Sequence, residues 1–156
     1  LKELTGKDIK DGTYDIEVES DSSMFRIIKA KLTVKDGKMT AVLTLNGKGY
    51  LRLFMGTGEE AVKADESKYA EFKIVDDKYT YEVSVDKLNA PVECTSFSKR
   101  KQKWYDHQIV FLADTLPEGA VKKDYTVVIL CAVVGVVLVA GIIIGLGRIK
   151  KKKSAR

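Results

Sequence analysis

Few residues of this chain could do chemistry, and their spacing narrows what that chemistry is. His107 is the one histidine, so no multi-histidine metal site can form. Cys94 stands alone outside a long apolar run, and no base in its local sequence would make its thiol a nucleophile. Asp15, Glu17 and Glu19 alternate with Tyr14, Ile16 and Val18, the pattern of a solvated strand face rather than of a paired acid and base. No GxSxG, HExxH, phosphate-cradling or dinucleotide glycine motif occurs, so the chain reads as a binding protein and not an enzyme. Two stretches crowd together side chains able to touch a ligand: Ser22-Ser23-Met24-Phe25 and Trp104-Tyr105-Asp106-His107.

Strands must position both stretches. Ala30, Leu32 and Val34 alternate with Lys31, Thr33 and Lys35, and Met39, Ala41, Leu43 and Leu45 follow. Asp36-Gly37 between these runs and Asn46-Gly47 after the second are turn dipeptides for two-residue hairpins. Together with the run through Tyr14, Ile16 and Val18, further strands are expected at 50–55, 69–74, 79–85, 92–97 and 104–112. About eight short strands in some 100 residues predict an all-β, antiparallel Ig-like sandwich. Strands 50–55 and 104–112 are apolar on both faces. One face meets the core, and the second must meet a partner, an apolar ligand, or the loop at 56–64 with the N-terminal segment.

The chain of 156 residues has room for about one such domain. All 22 acidic residues lie at or before Asp124, whereas residues 125–156 carry six bases and no acid, so the net charge of +5 belongs to the C-terminal end. A nucleic-acid partner would need a basic face on the folded part, and is excluded. Residues 125–146 form an uncharged apolar run containing Cys131, long enough to cross a bilayer as a helix of about 20 residues. Arg148, Lys150 to Lys153 and Arg156 follow, which puts this end in the cytoplasm and residues 1–124 outside. Gly141 and Gly145 make a GxxxG step that would allow a weak dimer in the membrane. Leu116-Pro117-Glu118-Gly119-Ala120 departs from the LPxTG sorting pattern at its last two positions, which favours a retained anchor. The chain opens at Leu1 with no apolar leader, and export of residues 1–124 needs one, so a removed signal peptide or further N-terminal sequence is expected. With Cys94 alone outside the membrane run, the outer domain is expected to lack an internal disulfide. The predicted organisation is an N-terminal lead (1–11), the outer domain (12–112), a juxtamembrane linker (113–124), a transmembrane helix (125–147) and a basic cytoplasmic tail (148–156).

Between Asp11 and Leu112 the chain resembles the NEAT (near-iron transporter) domains of Gram-positive cell surfaces. The resemblance rests on the order of Gly12-Thr13-Tyr14, the serine-methionine segment, Ala30-Lys31-Leu32-Thr33-Val34-Lys35-Asp36-Gly37-Lys38, Leu43-Thr44-Leu45, residues 88–92, and Tyr105-Asp106-His107 with Phe111. It implies an Ig-like sandwich holding haem between a short helix after the first strand and the last hairpin, in the service of iron transport. The binding residues it implies are Ser23, Met24, Phe25, Tyr105, His107 and Ile109. Tyr105 would be the axial ligand, since a phenolate is a hard anionic donor suited to ferric iron, with Met24 and Phe25 capping the opposite haem face and Ser23 bonding a propionate. Lys99, Arg100, Lys101 and Lys103 would offset propionate charge or meet a partner, unless they are simply a charged hairpin tip. The family's second tyrosine, four residues after the first, is replaced by Ile109, which either weakens the phenolate or shifts ligation to Met24, Met55 or His107. The implied function is a membrane-anchored cell-surface protein that captures or relays haem, exchanging it with surface donor or acceptor proteins. The alternative is an Ig-like surface adhesion or interaction module without a cofactor.

Overall fold

The computed structural model describes residues 1–123. Its strands form two five-stranded sheets in which every pairing is antiparallel. Across the first sheet run β1 (Gly12–Asp15), β3 (Ile27–Lys35), β4 (Lys38–Leu45), β8 (Lys78–Val85) and β7 (Lys73–Val75). Across the second run β2 (Glu17–Ser20), β10 (Trp104–Leu112), β9 (Val92–Ser98), β5 (Tyr50–Phe54) and β6 (Ala70–Glu71). This all-β arrangement is consistent with an Ig-like sandwich.

The expected alternation places Ala30, Leu32 and Val34 of β3 and Met39, Ala41, Leu43 and Leu45 of β4 in the core. Asp36 (φ 51°) and Gly37 (φ 80°) both adopt the left-handed conformation that matches a two-residue turn to the twist of the strands it joins. Asp76 (φ 49°) and Asp77 (φ 63°) do the same between β7 and β8. Asn46-Gly47 does not close a hairpin. β4 is already paired on both sides, by β3 and β8, so the chain leaves that sheet and enters the other as β5.

Two segments read as single strands are cut. The run through Tyr14, Ile16 and Val18 becomes β1 in one sheet and β2 in the other, with buried Ile16 at the crossing and its N–H donating to the Ala30 carbonyl at 3.1 Å. Residues 69–74 divide in the same way into β6 and β7 about Phe72, whose ring stacks on Tyr79 at 4.0 Å. The chain therefore crosses between the sheets at both lateral edges of the sandwich. A period-2 pattern cannot mark such a crossing, because the inward residue stays inward on either sheet.

The compact unit extends beyond residues 12–112, since it comprises Leu1–Val121. Leu4 pairs with Leu88 and Ile9 with Val121, and Ile9, Ala113, Leu116 and Ala120 are core residues. Cys94 is fully buried, and that burial pushes its thiol pKa up to about 12. Cys131, the apolar run and the basic tail lie outside the described residues. Among the described residues no helix is long and apolar enough to cross a membrane.

At the Phe54 and Trp104 end, the second apolar face of β5 and β10 is covered by the loop and by Tyr69 beyond it. That loop contains a short helix, α1 (Gly58–Lys63), started by a reciprocal cap between Thr57 and Glu60. Tyr69 packs between Phe54 and Trp104, at centroid distances of 6.2 and 5.1 Å, and its hydroxyl donates to the Ala61 carbonyl at 2.7 Å. The Gly58 N–H donates to Asp106 Oδ1 at 2.7 Å. A Cβ on Gly58 would stand 2.9 Å from the Trp104 Cβ, so only glycine lets the helix start this close to β10. Gly58→Ala is expected to destabilise the chain by about 1–3 kcal/mol. Gly47→Ala, whose Cβ would meet nothing within 4 Å, should leave the urea midpoint unchanged.

Candidate functional site

Along β10 the odd residues face inward. Phe111 and Ile109 are fully buried, His107 is 5% exposed, and Tyr105 ends the row half-buried at the rim. Opposite them on β9, Cys94 pairs with His107 and Ser96 with Tyr105. Ser96 and Ser98 are buried where the alternation calls for large apolar residues, so this end of the sandwich is polar and has room.

The turn at residues 22–25 closes over that room. Its Asp21 N–H donates to the Gln108 carbonyl at 3.0 Å, fixing the turn to β10. The Met24 N–H reaches Ser22 Oγ at 3.2 Å and the Phe25 N–H reaches the Ser22 carbonyl at 3.2 Å, making one turn rather than the short helix that the resemblance implies. Phe25 points down into the protein. Its ring lies flat on His107, with centroids 4.2 Å apart and planes 4° apart, and meets Tyr50 edge-on at 5.6 Å. Met24, on the other side of the turn, is 80% exposed.

Between this turn and the hairpin at 99–103 lies a cleft of about 380 Å³, lined by Met24, Tyr50, Ser98, Arg100, Tyr105 and His107 among others. Past Met24, Tyr50, Ser98 and Arg100 a second lobe of about 750 Å³ continues toward Arg26, Leu45 and Lys99. The Lys103 ammonium sits 5.3 Å from the centre of the Tyr105 ring. Tyr105 and Met24 thus meet at one cleft, and exposed Ser23 lines its second lobe.

Phe25, Ile109 and Met55 fall elsewhere, and His107 lines the cleft with its ring already engaged. Phe25 is fully buried beneath the cleft and caps nothing above it. His107 Nε2 is 2.8 Å from Ser96 Oγ, so that nitrogen is engaged, and the ring's face is covered by Phe25. Ile109 is fully enclosed between Val92 and Ser20. Met55 lines a separate depression with Gly56, Ser84 and Pro91. Tyr50 was not among the sequence candidates, although its place on a two-faced strand was the available signal. A register shift between Tyr50 and Arg52 in the pairing of β5 with β9 lets both Tyr50 and Leu53 pack toward the core.

A planar apolar ligand could lie against Met24 and Tyr50 with anionic groups toward Arg26, Lys99 and Arg100. The donor set also fits a ferric centre in such a ligand, because among the described residues nothing hydrogen-bonds the Tyr105 hydroxyl. Among those residues no group of three or more His, Cys, Asp or Glu could hold a bare metal ion.

No family model matches the chain, and neither does any curated protein. Among solved structures it is similar to the NEAT5 domain of IsdX2, a B. anthracis hemophore, in complex with haem, at 23% identity and a TM-score of 0.46, over 65% of this chain and 96% of that one. A mutant of that domain, also with haem, is similar at 23% identity and a TM-score of 0.46, over 66% and 96%.

His107 carries a pH dependence. Burial lowers its pKa below the ordinary 6.5, against a smaller upward pull from Asp21 and Asp106. As pH falls below 6.5 the unfolded chain takes up the proton before the folded one, so stability is full above that value and declines beneath it. Denaturant midpoints measured between pH 7 and about 5, above the range where free carboxylates titrate, should fall with pH in the wild type. They should fall less in His107→Gln.

Proposed function

We propose that this chain is a membrane-anchored cell-surface protein that captures or relays haem for iron uptake, with Tyr105 as the protein's ligand to iron. The observation that carries this reading is the half-buried Tyr105 phenol at the mouth of a partly apolar cleft, its hydroxyl without a protein partner among the described residues. Bound haem would supply a ferric centre able to accept an anionic oxygen. Tyr105 releases its proton to solvent as it provides that oxygen, Met24 covers the ligand and excludes water, and Arg26, Lys99 and Arg100 offset carboxylate charge. The motif resemblance across residues 11–112 supports the same ligand.

The anchor belongs to the same proposal. The apolar run 125–147, which follows the compact unit ending at Val121, would hold the chain in the membrane with the cleft outside and residues 148–156 inside, so that haem is exchanged with other surface proteins.

Titrating the full chain in detergent with hemin should give a shifted Soret band. Tyr105→Phe keeps the ring and deletes the oxygen, so the ferric spectrum should alter or vanish with folding intact, while Met24→Ala should weaken retention by a smaller factor. A wild-type chain with no Soret shift would leave the cofactor-free interaction module as the reading. On intact cells, added protease should remove epitopes in residues 1–120 and spare Lys150 to Arg156. Cleavage of the lysine tail from outside would reverse the proposed topology.

A further inference from the structure

A phenolate that binds a metal needs its orientation and charge supported by a neighbouring donor. Ile109 is fully buried and has no hydroxyl, so it gives Tyr105 none. Ser96 Oγ lies 2.8 Å from His107 Nε2 and is shared between that ring and Tyr50. Tyr50 is differently placed. It lies on β5, and Tyr105 on β10, the two strands that flank β9. Between them on the same face stand only Ser96 and Ser98, paired with Tyr105 and Tyr50 respectively. Two phenols on strands about 10 Å apart, with small serines between them, lean over the same space, and both line the one cleft.

We infer that Tyr50 is a positioning residue for Tyr105, its hydroxyl turning from the Met24 carbonyl to donate a hydrogen bond to the Tyr105 phenolate when that oxygen binds a ferric centre. This rests on the haem-binding reading. The bond that Tyr50 must surrender is long, 3.3 Å to the Met24 carbonyl, where a hydroxyl bond is ordinarily near 2.7–2.8 Å. The exchange balances: the Tyr105 proton leaves to solvent as the oxygen–iron bond forms, and Tyr50 keeps its own proton. Burial raises the Tyr50 pKa, the Ser96 hydroxyl lowers it somewhat, and a charge on Tyr105 raises it further. Its main-chain carbonyl, which accepts from the Tyr81 hydroxyl at 2.6 Å, is unaffected by the turn of the side chain. Two other groups could compete: Ser98, whose oxygen accepts from the Lys101 N–H at 3.0 Å while its own proton is uncommitted, and Lys103 above the ring.

The test is acid titration of the hemin-loaded full chain in detergent, following the phenolate-to-iron charge-transfer band and the iron–phenolate stretch in resonance Raman spectra. Tyr50→Phe keeps the ring that packs on Phe25, so it should fold as the wild type by near-ultraviolet circular dichroism. It should lose the phenolate band at a pH about one unit higher, a tenfold change in the proton equilibrium, and shift the stretch. Ser98→Ala and Lys103→Met should leave both where they are. An unchanged midpoint in Tyr50→Phe, or a shift produced by Ser98→Ala or Lys103→Met in its place, overturns the inference while leaving haem binding intact. A wild-type chain without a phenolate band, or a Tyr105→Phe chain that retains one, overturns the haem-binding reading and this inference with it.

Discussion

The cleft rests on the flat contact between Phe25 and His107, because it settles which side of the 22–25 turn faces the protein. With Phe25 drawn down onto the imidazole, its neighbour Met24 is left outside, and the turn becomes a lip. The contact itself depends on a polar residue standing in a core position of β10, which is tolerable because Ser96 takes up the ring nitrogen and burial keeps the imidazole neutral. A large apolar residue in place of Ser96 would fill the space that Phe25 and Tyr50 now occupy. The room at this end of the sandwich thus follows from two serines on β9 and the histidine beside them.

The same row of β10 explains why Tyr105 is accessible and Ile109 is not. Both face inward, but the sheets enclose Ile109 fully and stop short of Tyr105 at the hairpin. The outward residues serve a second purpose. Asp106 accepts from the Gly58 N–H, and Trp104 receives the start of α1 and the Tyr69 ring, so the strand is gripped from both faces at the point where it presents its phenol. A side chain held in this way pays little ordering entropy on meeting a ligand.

Much of this was legible in the sequence. The alternation in β3, β4, β8 and β10 reads directly as one buried face, and Asp36-Gly37 marks its turn. Asn46-Gly47 misleads because the same dipeptide serves an inter-sheet loop, and only the pairing of β4 on both sides decides between the two. The crossings at Ile16 and Phe72 leave the period unbroken and are invisible to it. At the site, residue type and order single out Tyr105 and Met24, and the fold brings both to one cleft. The burial of Phe25 beneath the cleft was not legible, because sequence adjacency to an exposed residue says nothing of which way a turn rotates its neighbour. Tyr50 was missed because a register shift displaces it relative to its strand's period.

The two crossings have a further effect on how copies of this molecule tolerate crowding. Every strand at the border of a sheet is short: β1 and β2 have four residues each, β7 three and β6 two. An unpaired border of such length offers a neighbouring chain too few backbone groups to template a shared sheet. Copies brought close together would meet through side chains, and the sandwich gives them little main chain along which to zip together.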